Sequence, residues 1–131
     1  MNQLTQTQKA ALAQVLGMQD SRLRGDIKNT LLQSGDQRYI DLAGMVHDRG
    51  DESVADLLSD LNNTLIERHT QELQDIEAAR TRLADGSISD CRECGGEIGY
   101  KRLMAYPMAL RCIDCQEQFD KTHHHENTPR L

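Results

Sequence analysis

The sequence predicts an all-α fold, a long antiparallel helical hairpin (a coiled coil) with a small four-cysteine finger at its base. Three observations predict it. Apolar residues recur at helical spacing over residues 5–33 and again from residue 51 onward. Leu, Gln, Asp, Arg and Ala dominate the first two-thirds of the chain, a composition that favours long helices. All four cysteines fall in one later stretch, as Cys91-Arg92-Glu93-Cys94 and Cys112-Ile113-Asp114-Cys115, with seventeen residues between the pairs. With 131 residues, no Trp, one Phe and 37% hydrophobic residues, the chain lacks the material for a broad globular core. The expected division is a helical hairpin over residues 1–86, the finger and a C-terminal helical segment over 87–120, and a disordered tail over 121–131.

The first helix is read over residues 5–33, where Leu12, Val15, Leu16, Leu23, Ile27 and Leu31 recur at steps of three and four. Thr5 followed by Gln8 is a capping-box pattern, while Gly17 inside the helix costs about 1 kcal/mol relative to Ala. Ser34-Gly35-Asp36 predicts a break or a kink. Tyr39, Ile40, Ala43, Met45 and Val46 then form an apolar cluster, read as a short helix ended near Gly44 or by His47-Asp48-Arg49-Gly50-Asp51. From Asp51, an N-cap residue followed by the acidic Glu52, a second long helix is expected. Val54, Leu57, Leu58, Leu61, Leu65, His69, Ile76, Ala79 and Leu83 fall on one stripe at 100° per residue, and Gly86 supplies the C-terminal stop. Its length would be roughly 50 Å. The only comparable stripe is that of residues 5–33, so the two helices should pair, with Arg68 and Glu72 contributing a polar layer at the seam. The hairpin's tip then falls near residues 48–51.

A CxxC turn lets two thiolates reach one ion, and Gly95 after the second cysteine supplies the permissive backbone. Two such turns at this spacing read as a tetrahedral four-sulfur Zn²⁺ site formed by Cys91, Cys94, Cys112 and Cys115. The alternatives are two disulfides or one redox-active pair. The matched pairs favour zinc, as does the lack of a charged segment with an apolar run at the start of the sequence. Four protein sulfurs leave no open position, so the one zinc ion is structural. No stretch is long enough to cross a bilayer, and a reducing, cytoplasmic setting is expected.

Charge narrows the function. Residues 1–46 carry five basic and four acidic side chains, residues 47–90 four and eleven, and residues 91–131 six and six. A DNA reader needs a basic face to displace counterions from phosphates, and neither the balanced finger nor the acidic segment offers one. Direct DNA binding is therefore not expected. Nor is an enzyme expected, because no Ser/His/Asp or Cys/His nucleophilic set is visible and the cysteines are committed to the metal.

The finger with Cys94-Gly95-Gly96-Glu97-Ile98-Gly99-Tyr100-Lys101-Arg102-Leu103 and Ala105-Tyr106-Pro107, preceded by a long helix and an Asp-x-x-Asp pattern, resembles the DksA/TraR family of bacterial transcription regulators. The resemblance spans roughly residues 40–120. It implies a protein that binds RNA polymerase directly, inserts its coiled coil into the secondary channel and changes initiation without touching DNA. The family's tip pattern Asp-x-x-Asp-x-Ala falls on Asp48, Asp51 and Ser53, with Ser in place of Ala. Where responsive members carry basic residues for the alarmone ppGpp, this chain carries Asp75, Tyr106 and Gln116. Asp75 would repel a polyphosphate, so little ppGpp synergy is expected.

Other residues carry smaller expectations. Arg92, Lys101, Arg102 and Arg111 could contact an acidic polymerase surface or simply keep the finger soluble. His69, on the apolar stripe, reads as a packed histidine. His123, His124 and His125 lie in the tail, with adventitious metal binding as their chemistry. Tyr106-Pro107 should set the turn that returns the chain to Cys112, since Pro biases its predecessor towards extended backbone. Two other functions fit the same features: a zinc-stabilised module docking on a different protein through its acidic helix, and a transcript-cleavage stimulator like the Gre factors.

Overall fold

The computed structural model describes residues 3–46, 57, 58 and 60–127, with side chains up to residue 122. Helix α1 (Gln6–Gln33) opens on the expected capping box. The Gln8 N–H donates to the Thr5 hydroxyl at 3.1 Å, and the Thr5 N–H donates to the Gln8 carboxamide at 3.0 Å. Its 28 residues span about 42 Å. Gly17 does not interrupt it. The guanidinium of Arg80 crosses α1 there, 3.4 Å from where a Cβ would stand. The chain turns at the predicted break, where the Ser34 hydroxyl donates to the Leu31 carbonyl at 2.7 Å and Gly35 takes φ +76°. Asp36 then caps α2 (Gln37–Ala43), accepting from the Arg38 N–H at 2.9 Å, and Gly44 ends it.

Helix α3 (Thr64–Asp85) corrects the expected continuous helix from Asp51. Residues 57 and 58 are helical, but the helix does not run on into α3. Asn62 sits at φ +54°, and Asn63 caps a new helix by accepting from the Ile66 N–H at 3.1 Å. The 22 residues of α3 give about 33 Å, well short of 50 Å. Ile76 and Ala79 keep to the expected stripe, while the start of the helix departs from it. Ile66, Thr70, Ile76 and Ala79 are buried, whereas Leu57 and Leu65 are exposed. The Thr70 hydroxyl is satisfied by the Ile66 carbonyl at 2.8 Å. Arg68 and Glu72 are exposed and form no buried polar layer. A buried charged group lies on α1 instead, Asp20, which accepts from Arg24 at 2.7 Å. Gly86, at φ +89°, closes α3 as expected.

Three apolar clusters order the helices. Leu16 meets Ile76 and Ala79 in the middle. Ile27 and Leu31 meet Ile66, together with Ala43, Val46 and Leu58, at one end. Leu4 and Leu12 meet residues of the finger at the other, with Leu83 against them. Low numbers on α1 thus pair with high numbers on α3, so the helices are antiparallel and the finger sits at their open ends. The finger contains α4 (Tyr100–Ala105) and leads into α5 (Ile113–Asn127). Helix α5 extends into the segment read as a disordered tail. Extended pairing among the described residues is limited to one antiparallel bridge, Asp90 to Glu97, inside the finger. No described helix is long and apolar enough to cross a membrane.

Candidate metal centre

The first CxxC turn is closed by its own backbone. The Gly95 N–H donates to the Cys91 carbonyl at 3.0 Å, the Cys91 N–H donates to the Gly96 carbonyl at 2.8 Å, and Gly95 takes φ +73°. The Gly96 N–H points at the Cys94 sulfur, 3.3 Å away. A Cβ on Gly96 would stand 3.2 Å from that sulfur, so glycine permits the approach. The second turn follows the buried Pro107 and begins α5, with the Gln116 N–H donating to the Cys112 carbonyl at 2.9 Å. Tyr106 is extended at φ −148°, as the following proline requires. One backbone bond ties the turns together, from the Arg92 N–H to the Leu110 carbonyl at 2.9 Å.

The result is four free thiols whose sulfurs all lie within 4.8 Å of one another, Cys94 and Cys112 at 3.9 Å. A zinc ion with bonds of about 2.3 Å places its sulfurs about 3.8 Å apart, whereas a disulfide needs about 2.05 Å. The donor set fits zinc and excludes the paired disulfides. Burial by itself raises the Cys91 thiol, but the N–H groups of Cys94, Cys112 and Glu93 directed at its sulfur outweigh it and bring it down to about 6. Hydrogen bonding to the Cys112 and Cys91 sulfurs pushes Cys115 up to about 12. Four crowded sulfurs compete for protons, and a divalent cation resolves the competition by holding all of them as thiolates. The site holds one structural Zn²⁺.

The finger is fastened to the hairpin by Ile88, Cys91, Ile98, Leu103 and Ala109, packed against Leu12 of α1 and Leu4 just before it. Two of the four basic residues expected at a partner surface are used within the finger. Arg102 donates to the Arg111 carbonyl at 3.0 Å. Arg111 donates to Glu93 at 3.3 Å and lays its guanidinium over the Phe119 ring, 3.9 Å from the centroid. Arg92 and Lys101 remain exposed. Spacing alone gave no sign of the Arg111–Phe119 stack. The Asp20–Arg24 pair, in contrast, was visible as an i, i+4 pattern that the apolar stripe overshadowed.

Asp48, Asp51 and Ser53 lie outside the described residues. Asp75 is exposed and accepts from Gln71 at 3.1 Å, Tyr106 is exposed, and Gln116 donates to Asp120 at 2.9 Å. His69 is half-buried and meets Glu72 at 3.4 Å, as a packed histidine at the edge of the seam.

Hairpin and centre together define a helical protein built on a C4-type zinc finger. A family profile described as prokaryotic dksA/traR C4-type zinc finger matches residues 85–121. An 8.2 kDa protein of the gpA 5′ region of Escherichia phage P2 is 35% identical over 74 residues, 56% of this chain and 92% of that protein. The RNA polymerase-binding transcription factor DksA of Escherichia coli strain K12 is 26% identical over 113 residues, 86% of this chain and 72% of that one. The structure of transcription factor DksA2 from Pseudomonas aeruginosa superposes with a TM-score of 0.63 at 25% identity, covering 92% of this chain and 88% of that chain. The chain belongs to the DksA/TraR family.

Proposed function

We propose that this protein is a bacterial transcription regulator that binds RNA polymerase directly, enters the secondary channel with its hairpin and alters initiation without contacting DNA. The observation that carries this reading is likeness to DksA2 along 92% of the chain, finger and hairpin together. The E. coli relative's name adds the partner class. The charge distribution agrees, since the finger has no excess positive charge and residues 47–90 are strongly acidic.

In this reading the zinc centre fixes the base of the hairpin and so aims its far end. Asp48, Asp51 and Ser53 act there, the carboxylates meeting Mg²⁺-bound groups or basic loops near the polymerase active centre. Arg92 and Lys101 are the finger residues free to touch an acidic polymerase surface. Arg102 and Arg111 hold the finger together instead. The protein is a cytoplasmic regulator rather than an enzyme, its four cysteines being ligands to a closed site. Asp75 disfavours a polyphosphate, so little synergy with ppGpp is expected.

The test is an initiation assay with purified polymerase, comparing the protein with its Asp48→Asn/Asp51→Asn variant. The expected result is loss of the effect on initiation with binding to polymerase largely retained. A variant that regulates normally would remove the tip from the mechanism.

A further inference from the structure

A solvent-open cleft of about 290 Å³ lies where α1, α3 and the loop after α4 meet, lined by Gln19, Arg22, Leu23, Asp26, His69, Glu72, Ile76 and Met108. Its volume is at the lower edge of small-molecule sites, which suits one inserted side chain better than a free cofactor. Its floor is apolar, from Leu23, Ile76 and Met108. Its polar groups are mostly acceptors without full partners. The Gln19 Oε1 atom is buried and receives no hydrogen bond. Among the described residues nothing bonds the Asp26 carboxylate, while its backbone carbonyl takes the Thr30 hydroxyl at 2.9 Å. Glu72 makes only the long 3.4 Å contact with His69.

We infer that this cleft is a docking site for an arginine side chain of the protein partner. The inference rests on the polymerase reading for the partner's identity, but its chemistry stands on the cleft. An arginine stem lies on apolar surface while its planar head reaches acceptors on both sides. Asp26 and Glu72 are contributed by opposite helices and are both exposed along the lining. Arg22 on the lining adds one positive charge, so the site suits a single guanidinium rather than a basic run. Met108 comes from the finger, so the cleft is complete only when the zinc-held base is docked on the hairpin. The same site would therefore report whether the protein is assembled.

The experiment uses the zinc-loaded full chain. In an NMR titration with N-acetylarginine amide, the Gln19 side-chain amide and the Met108 methyl should shift. N-acetylcitrulline amide, of the same shape without the charge, should leave them in place, and Asp26→Asn/Glu72→Gln should abolish the arginine response. Both positions are exposed, and retained helicity and zinc content confirm the fold. The same variant should bind core polymerase about tenfold more weakly than the unmodified protein. No arginine-specific shift would overturn the site, and unchanged polymerase affinity would overturn its docking role. If the unmodified protein fails to bind core, the polymerase reading falls and the titration still decides the cleft.

Discussion

The two ends of the hairpin are built from different materials. At the open end, Leu12 of α1 and Leu4 just before it pack on Ile88, Cys91, Ile98, Leu103 and Ala109, residues scattered through short turns that cannot form a core unaided. At the other end, Ile27, Leu31, Ala43, Val46, Leu58 and Ile66 form an aliphatic cluster with no metal ligand among them. Between them the seam narrows to Leu16, Ile76 and Ala79, with Asp20 buried alongside. One end is assembled by coordination and the other by burial. The difference lets a protein poor in aromatics hold a long projection on a fixed base, and it makes the ends separable.

Zinc removal should distinguish the two ends most sharply. The metal supplies about 10–16 kcal/mol in sites of this kind, so chelation should unfold residues 87–115. Amide exchange should show those residues losing protection while α2 and the start of α3 keep theirs. Simultaneous loss at both ends would contradict the separation. Next in size are truncations in the distal cluster. Leu31 and Ile66 are fully buried, and changing either to Ala should cost about 2–5 kcal/mol in denaturant unfolding with zinc affinity unchanged. Leu103→Ala, equally buried in the finger, should weaken zinc binding as well.

The turn before α3 gives smaller effects. Asn62 occupies φ +54°, so Asn62→Val should destabilise by about 1–2 kcal/mol, whereas Asn62→Gly should be nearly neutral in thermal unfolding. Smallest is the pH response of α2. The Arg38 side chain, and then its backbone N–H, hold the Asp36 carboxyl below its ordinary value of 3.8. A lowered carboxyl stabilises above the unfolded value, and that contribution is lost as pH falls through the folded one. NMR shifts of α2 should therefore show slight fraying in acid, and Asp36→Asn should keep the cap but lose the pH dependence.

Local signals with a physical mechanism were legible in the sequence. The Thr5–Gln8 box, the Ser34-Gly35-Asp36 break, the Gly86 stop and the convergence of Cys91, Cys94, Cys112 and Cys115 all follow from bonding geometry that few residues can satisfy. The break before α3 was not read. Leu57, Leu58, Leu61 and Leu65 keep a helical rhythm across it, and periodicity does not register one residue at positive φ. The Asn62-Asn63 pair was the available signal, since asparagine tolerates that conformation and caps the next helix. Ile66 is buried and Leu65 exposed because the distal cluster of Ile27, Leu31 and Leu58 packs on the Ile66 side of the helix start. Arg102 and Arg111 escaped for another reason. A basic residue in a finger reads as surface until the carbonyl, carboxylate or ring it serves is in place.

Direct engagement of RNA polymerase by the hairpin, through the secondary channel, underlies the proposed function. Gel filtration of the zinc-loaded protein with core polymerase, repeated with excess Gre factor, tests it most directly. Co-elution with core that is lost when Gre factor occupies the channel is the predicted result. No co-elution with core at all would contradict the account.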